Sequence, residues 1–301
     1  MKNLTLKQLR YLIALSQHQH FGRAASACAI SQPALSVQMK ELEAMVGAPL
    51  LERGGRQVNL TLLGEEFVQR GQSILAAVDE LSDVAQSAND AFSGRLRLGI
   101  IPTIAPYLLP SITTQIQANF PTVQLQPREA ITSTLVTDLL EHRLDMAVVA
   151  LPVSEPALEE FALFDEAFVL VRPLKDAEKS PPSQDLLNAS RLLLLEEGHC
   201  FRDQALSFCA LDGTKLHEVM EGNSLSTLVQ MVGAGLGLTL IPEMAIALEG
   251  RGNTTCIQRF DDIEPKRTIG LVWRRTNPMS AQFASLKDIV VQANALAIAA
   301  P

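Results

Sequence analysis

Residues 21–46 read Phe21-Gly22-Arg23-Ala24-Ala25-Ser26-Ala27-Cys28-Ala29-Ile30-Ser31-Gln32-Pro33-Ala34-Leu35-Ser36-Val37-Gln38-Met39-Lys40-Glu41-Leu42-Glu43-Ala44-Met45-Val46. Ala24, Ala25 and Ala27 make the segment Phe21–Cys28 a short helix that a neighbour can approach closely. Ala29-Ile30 leaves room only for a short turn. Ser31 then supplies a capping hydroxyl, and Pro33 falls in the first helical turn, where a missing N–H does no harm. Leu35, Met39, Leu42 and Val46 form one apolar stripe at helical spacing. Two short helices joined so tightly read as a helix-turn-helix. The second helix offers Gln32, Ser36, Gln38 and Lys40, with Ser31 and Pro33 at its entry. Hydrogen-bonding side chains of this kind read base edges or hold phosphates. The same pattern also suits a plain solvated face, so it leaves both readings open.

The flanks extend the motif. Leu6, Leu9, Leu12, Ile13 and Leu15 predict a preceding helix capped by Thr5. Pro49–Arg53 and Gln57–Leu60 predict a β-hairpin around Gly54-Gly55, and Arg53 and Arg56 on that wing suit phosphates or a minor groove. From Thr61 to about Asn89, the residues Phe67, Ile74, Leu75, Val78, Leu81 and Ala85 recur at heptad-like steps. So long a helix outside any domain needs a partner, which predicts a dimerisation helix unless it packs on its own chain. Charge divides the same way. Residues 1–60 carry seven basic and three acidic side chains, a net +4, whereas the whole chain carries −8. A basic head on an acidic body suits a DNA-binding domain attached to a sensor.

His20-Phe21-x-x-Ala24-Ala25, Ser31-Gln32-Pro33-Ala34-Leu35-Ser36, Leu42-Glu43 and Leu50-Leu51-Glu52-Arg53, at these spacings, resemble the winged helix-turn-helix of LysR-type transcription regulators. Thr61-Leu62-Leu63-Gly64 resembles the start of that family's linker helix, although Thr61 with Gly64 is only half a capping box. Close relatives within that family often carry Thr where this chain has Ala34, so no contact from that hydroxyl is expected.

Beyond the Ser93-Gly94 hinge, strands and helices alternate: Arg95–Ile101, a helix from Tyr107 to Phe120, Val123–Glu129, a helix from Thr132 to Glu141, then Met146–Ala150. This predicts parallel sheet with helical crossovers. A second unit follows with strands Phe168–Arg172, Leu192–Leu195, His217–Glu221 and Leu238–Ile241 and a helix from Ser224. Ile269–Trp273 and a helix from Ser280 return to the first unit. The predicted layout is a mainly α winged helix-turn-helix domain (1–60), a linker helix (61–92) and an α/β effector region (93–301). The effector region divides into lobe I, about 93–166 and 268–301, and lobe II, about 167–267. Two α/β lobes linked by two crossings resemble the periplasmic-binding-protein architecture of LysR effector domains.

Within lobe II lies Glu196-Glu197-Gly198-His199-Cys200-Phe201-Arg202-Asp203-Gln204-Ala205-Leu206-Ser207-Phe208-Cys209, which holds two of the four cysteines. If the segment is helical, nine steps separate Cys200 and Cys209 by roughly 13 Å and turn them to opposite faces. A disulfide needs Cα atoms about 4.4–6.8 Å apart, so the two can bond only if the segment unwinds. His199 and Arg202 favour a Cys200 thiolate, and Glu196, Glu197 and Asp203 oppose it. On spacing alone, two unrelated buried cysteines acting as small hydrophobes are the better fit. Gly198-His199-Cys200-Phe201-Arg202-Asp203-Gln204-Ala205 followed by Phe208-Cys209 is similar to the sensor segment of the OxyR branch. That resemblance implies a peroxide-reactive Cys200, a resolving Cys209, and Thr103, Thr132, His199, Gln204 and Arg267 as groups that bind or polarise hydrogen peroxide. It also implies an operator in double-stranded DNA, RNA polymerase as a partner, and a homodimer assembling to a homotetramer. Thr103 and Thr132 each follow a predicted strand, at the edge where α/β clefts bind ligands, although taken singly each better suits a helix cap.

No apolar run fits a signal peptide or a membrane span, which predicts a cytoplasmic protein in which a lasting structural disulfide is not expected. Cys28 and Cys256 are expected to be structural. No Cys/His cluster has zinc spacing, and Gly233, Gly235 and Gly237 are too loosely spaced for a phosphate loop, so neither metal nor cofactor is expected. The alternatives are a LysR-type regulator with inert cysteines and a small organic effector, or a thiol peroxidase fused to a DNA anchor.

Overall fold

The computed structural model describes residues 4–52, 58–87, 94–180, 187, 190–209, 220–261 and 264–299. The chain forms two compact units, divided near residue 88. The first holds α1 (Leu6–His18), α2 (Phe21–Ala27), α3 (Gln32–Val46) and α4 (Leu62–Ser87). Thr5 and Gln8 close a capping box at the start of α1. His20 caps α2: its Nδ1 accepts the N–H of Gly22 at 3.0 Å and of Arg23 at 3.3 Å. Ser31 Oγ accepts the Ala34 N–H at 3.3 Å, and Gly47 ends α3 in the left-handed region. Leu12, Leu15, Leu35, Met39 and Leu42 meet in one core, and Phe67 of α4 packs against it.

The chain after α3 is tied down by one carboxylate. Glu43 Oε1 accepts the N–H groups of Leu50 and Leu51 at 2.8 and 3.0 Å. Thr61 Oγ1 donates to the Pro49 carbonyl at 2.9 Å and accepts the Gly64 N–H at 3.0 Å. A Cβ at Gly64 would sit 2.1 Å from the Leu50 carbonyl oxygen, so only glycine lets α4 start there. This explains the half capping box: the fourth position serves close approach rather than a reciprocal bond. The predicted wing is represented by a single antiparallel bridge, Leu51 with Leu60, because residues 53–57 lie outside the described residues.

The second unit contains β1 (Gly94–Ile100), α5 (Ala105–Asn119), β2 (Val123–Glu129), α6 (Thr132–Leu140), β3 (Met146–Leu151), β4 (Leu158–Pro173), β5 (Leu193–Leu195), α7 (Cys200–Cys209), β6 (Met220–Gly222), α8 (Leu225–Gly233), β7 (Thr239–Pro242), α9 (Ile246–Glu249), β8 (Thr255–Gln258), β9 (Lys266–Arg274) and α10 (Ser280–Ala299). Strand order is β2-β1-β3-β9-β4-β7, with β8 also on β4 and β6 beside β5. The first three strands are parallel, as their helical crossovers require. Beyond them the sheet is mixed rather than parallel: β9 runs antiparallel to β3 and β4, and β4 antiparallel to β7 and β8. β4 pairs with β9 through Ala167 and with β7 from Phe168 onward, so one strand serves two sheets. Two separate apolar cores follow, one around Ile100, Val148 and Leu271, the other around Phe168, Leu193 and Leu240. His217, the predicted start of β6, lies outside the described residues.

Candidate functional site

Thr103 follows β1 and is buried without capping α5. Its Oγ1 accepts a 2.7 Å bond from Arg267 Nη1, and its carbonyl accepts Nη2 at 3.2 Å. The other side of the Arg267 guanidinium meets Glu166 Oε2, from Nε at 2.8 Å and Nη2 at 2.7 Å. Glu166 Oε1 in turn accepts the Met244 N–H at 3.1 Å. Burial raises the Glu166 carboxyl above the usual carboxylate range, and Arg267 opposes that shift. The Arg267 guanidinium also lies 5.3 Å from the centre of the Phe201 ring. Thus β1, β4, β9 and α7 converge on one arginine.

α7 spans Cys200 to Cys209 as one helix, so the condition on the cysteine geometry holds and about 13 Å separates the two backbones along it. Gly198 enters the helix at φ +93°, and a Cβ there would lie 3.2 Å from Ile131 Cδ1. The turn before α7 therefore packs against the loop that leads into α6. Phe201 and Ala205 are buried in the second core, whereas Cys200 is half-buried and packs against the first. Gln204 is one turn beyond Cys200 on the same face. Two side-chain atoms hereabouts are buried with no hydrogen-bond partner, Thr132 Oγ1 and Gln204 Oε1. Neither Thr103 nor Thr132 uses its hydroxyl as a helix cap, which removes the blander reading of both. Cys200 is a free thiol; the Cys209 side chain lies outside the described residues.

Burial holds the His199 imidazole below its ordinary value, against the pull of Glu196 and Glu129, so His199 near neutrality is an uncharged hydrogen-bonding group. Arg202 directs Nη1 to the Leu195 carbonyl at 2.9 Å and to Glu221 at 2.7 Å. It anchors α7 to the strands beneath it. Sequence reading missed Glu166 altogether. A carboxylate directly before the apolar run Ala167–Val171 was the available signal, since a carboxylate buried there needs a cation, and Arg267 is its strand partner. The Tyr107 hydroxyl was missed as well; it donates to Glu249 Oε1 at 2.9 Å, and burial first, then Glu249, pushes its ionisation upward.

On α3, Gln32, Ser36 and Lys40 follow one i, i+4 row, while Gln38 lies on the opposite flank and donates to Glu41 at 2.9 Å. Ser31 and Pro33 stand exposed at the helix entry, and Val37 is 52% exposed on the outward side. Arg53 and Arg56 lie outside the described residues. Cys28 packs against the core of the first unit, and the Cys256 thiol donates to the Pro173 carbonyl at 3.7 Å. Among the described residues, no three His, Cys, Asp or Glu side chains are arranged to hold a metal, and no helix is long and apolar enough to cross a membrane.

Residues 6–65 match the bacterial regulatory helix-turn-helix protein, lysR family, and residues 89–295 match the LysR substrate binding domain. The chain belongs to the LysR family of DNA-binding transcription regulators, which are not enzymes. It is 38% identical over 291 residues to the hydrogen peroxide-inducible genes activator of Dickeya chrysanthemi, covering 95% of each chain. Full-length OxyR of Pseudomonas aeruginosa, with a cysteine-to-aspartate substitution, superposes with a TM-score of 0.75 at 35% identity, covering 96% of this chain and 95% of that one. A cysteine-to-serine variant of Corynebacterium glutamicum OxyR with hydrogen peroxide bound gives 0.69 at 33% identity, covering 99% and 94%. Within the LysR family, the chain falls in the OxyR branch.

Proposed function

We propose that the chain senses hydrogen peroxide and regulates transcription through a reversible Cys200–Cys209 disulfide. The observation that carries this reading is a free, half-buried thiol with the buried, unpartnered Gln204 Oε1 one turn away on its helix, while Thr132 Oγ1, equally unpartnered, follows Ile131, against which Gly198 packs. Each unsatisfied atom costs about 1–3 kcal/mol, which a small molecule rich in donors and acceptors recovers. Hydrogen peroxide is such a molecule. Thr103, whose oxygen already accepts from Arg267, keeps its own O–H to donate to the departing oxygen. Arg267 and Glu166 act as positioning residues, since both are buried and engaged with each other and with Thr103. His199, neutral, offers a hydrogen bond at the helix entry.

The Cys200 thiolate attacks one peroxide oxygen, the O–O bond breaks, and hydroxide leaves and takes up a proton to become water. The sulfenic acid on Cys200 then condenses with the Cys209 thiol, releasing a second water as the S–S bond forms. A dithiol reductant reverses the change by exchange. Because α7 holds the two cysteines on opposite faces, the bond selects a conformation in which α7 is unwound and Phe201 and Ala205 leave their core. That refolding moves one effector domain against another and alters the spacing of the DNA heads.

The functional division is a DNA-binding head at 1–60, a linker helix at 61–92, and an effector region at 93–301. Gln32, Ser36 and Lys40, with Ser31 and Pro33 at the helix entry and Arg53 and Arg56 on the wing, contact DNA; Gln38 supports that face through Glu41. The linker helix pairs two chains, a reading supported by Leu62, Ile74 and Leu81, which are exposed on α4. Phe67, by contrast, is consumed by its own domain. Dimers assemble into tetramers through effector domains, and RNA polymerase reads the resulting DNA complex. Mass spectrometry after one equivalent of peroxide tests the chemistry: a Cys200–Cys209 disulfide in the native chain and a sulfenic acid in Cys209→Ser are expected. Unmodified thiols would instead support a regulator driven by an organic effector.

A further inference from the structure

Arg172 lies near the end of β4 and is 2% exposed. No carboxylate pairs with it among the described residues. Its Nη1 and Nη2 reach only the carbonyls of Asp176 and Ser180, at 3.5 and 3.2 Å, and its Nε is buried with no partner. Arg172 lines a cavity of about 240 Å³ in the second unit, together with Lys175, Lys179 and Arg191. One carboxylate is among the described lining residues, Asp176, and it is ion-paired with Lys179 at 2.7 Å. The lining therefore holds four cationic side chains against one acid, in a chain whose net charge is −8.

A buried cation is costly by several kcal/mol when, as here, the carboxylate nearest it among the described residues, that of Asp176, is bonded to another cation, and a guanidinium satisfies oxyanions through charged, directional bonds. Gly235 and Gly237 also line the cavity, at the end of α8. A Cβ at Gly237 would lie 2.4 Å from the Arg191 carbonyl oxygen, so that glycine serves close packing rather than a phosphate loop, and recognition rests on the side chains. We infer that this cavity is a binding site for a small oxyanion of the phosphate class, separate from the thiol site and independent of its chemistry.

The test is calorimetric titration of the reduced, full-length chain with sodium phosphate at constant ionic strength, beside a thermal melt. Saturable one-site binding is expected, with a rise in melting temperature that matched chloride does not give. Arg191→Ala and Lys175→Ala alter exposed side chains and keep the fold; each should weaken binding at least fivefold. Arg172→Met should abolish it. A titration with glycerol 3-phosphate separates the sources: the tighter of the two ligands names the natural class, and equal affinity assigns the site to the bare oxyanion. No saturable binding, a chloride effect equal to that of phosphate, or rim variants that bind as the native chain does would each overturn the inference.

Discussion

The proposed recognition helix and the proposed sensor site place their candidate groups in opposite environments. On α3, Gln32 and Lys40 stand exposed, and the apolar stripe that holds the helix, Leu35, Met39 and Leu42, faces away from them. In the sensor, Thr103, Arg267 and Glu166 are buried, bonded to one another, and drawn from three strands or strand ends. In the first region, function and stability reside in different side chains. In the second, the same side chains carry both. Substitutions should therefore separate the two properties in the head and confound them in the bonded Thr103–Arg267–Glu166 network.

The largest expected effect strikes the sensor pair. Glu166→Gln leaves the Arg267 guanidinium buried without its counter-charge, and should cost about 3–5 kcal/mol of effector stability in denaturant unfolding. Combining it with Arg267→Met should return much of that loss while peroxide reactivity stays low. If the double variant is as unstable as the sum of the singles, the two groups are not coupled and the account of the site is wrong.

Next come the unpartnered groups. Thr132→Val and Gln204→Ala remove atoms that have no partner, so stability should hold or rise, for the near-isosteric Thr132→Val by up to about 1–3 kcal/mol. Oxidation of Cys200 by peroxide, followed by stopped flow or quenched alkylation, should slow by about tenfold, near 1.4 kcal/mol of lost transition-state stabilisation. Unchanged rates in both variants would remove these groups from the site.

In the head, Lys40→Ala should leave stability within about 0.5 kcal/mol and lower the log–log salt slope of DNA binding by about one unit. An unchanged slope takes Lys40 off the phosphate backbone. The contrast with Glu166→Gln is the sharpest form of the comparison between the two regions.

The smallest effect is that of pH. The folded His199 lies below its unfolded value because of burial, so the unfolded chain takes up the proton first as pH falls. Stability should decline as pH drops through about 6.5 and level off below the folded value. His199→Gln should flatten that decline; a decline of the same slope in the variant assigns it to other groups.

The helices of the head were legible because the core stripe of α3 recurs at helical spacing and so stands apart from its exposed face. Even so, Gln38 was grouped with Gln32 and Ser36 although a helix turns it to the other flank, and the His20 cap escaped notice because histidine seldom serves there. The sensor was legible only in part. The Cys200 segment stood out by its residues, but Glu166 is brought to Arg267 by strand pairing about a hundred residues apart in sequence. Leu158–Ala167 was not recognised as strand because Glu159-Glu160 and Asp165-Glu166 interrupt its apolar pattern; pairing with β9 holds it extended. The same pairing makes the sheet mixed, which alternation of helices and strands does not reveal.

The central claim is that closing one disulfide changes how the protein lies on DNA. Peptide mapping of the oxidised protein, paired with footprinting of the same sample on its own upstream DNA, tests it directly. The account predicts a Cys200–Cys209 bond, a shifted footprint, and in Cys200→Ser a footprint that stays in its reduced form under peroxide. A fully formed bond with an unchanged footprint, or a shift that persists in Cys200→Ser, would contradict it.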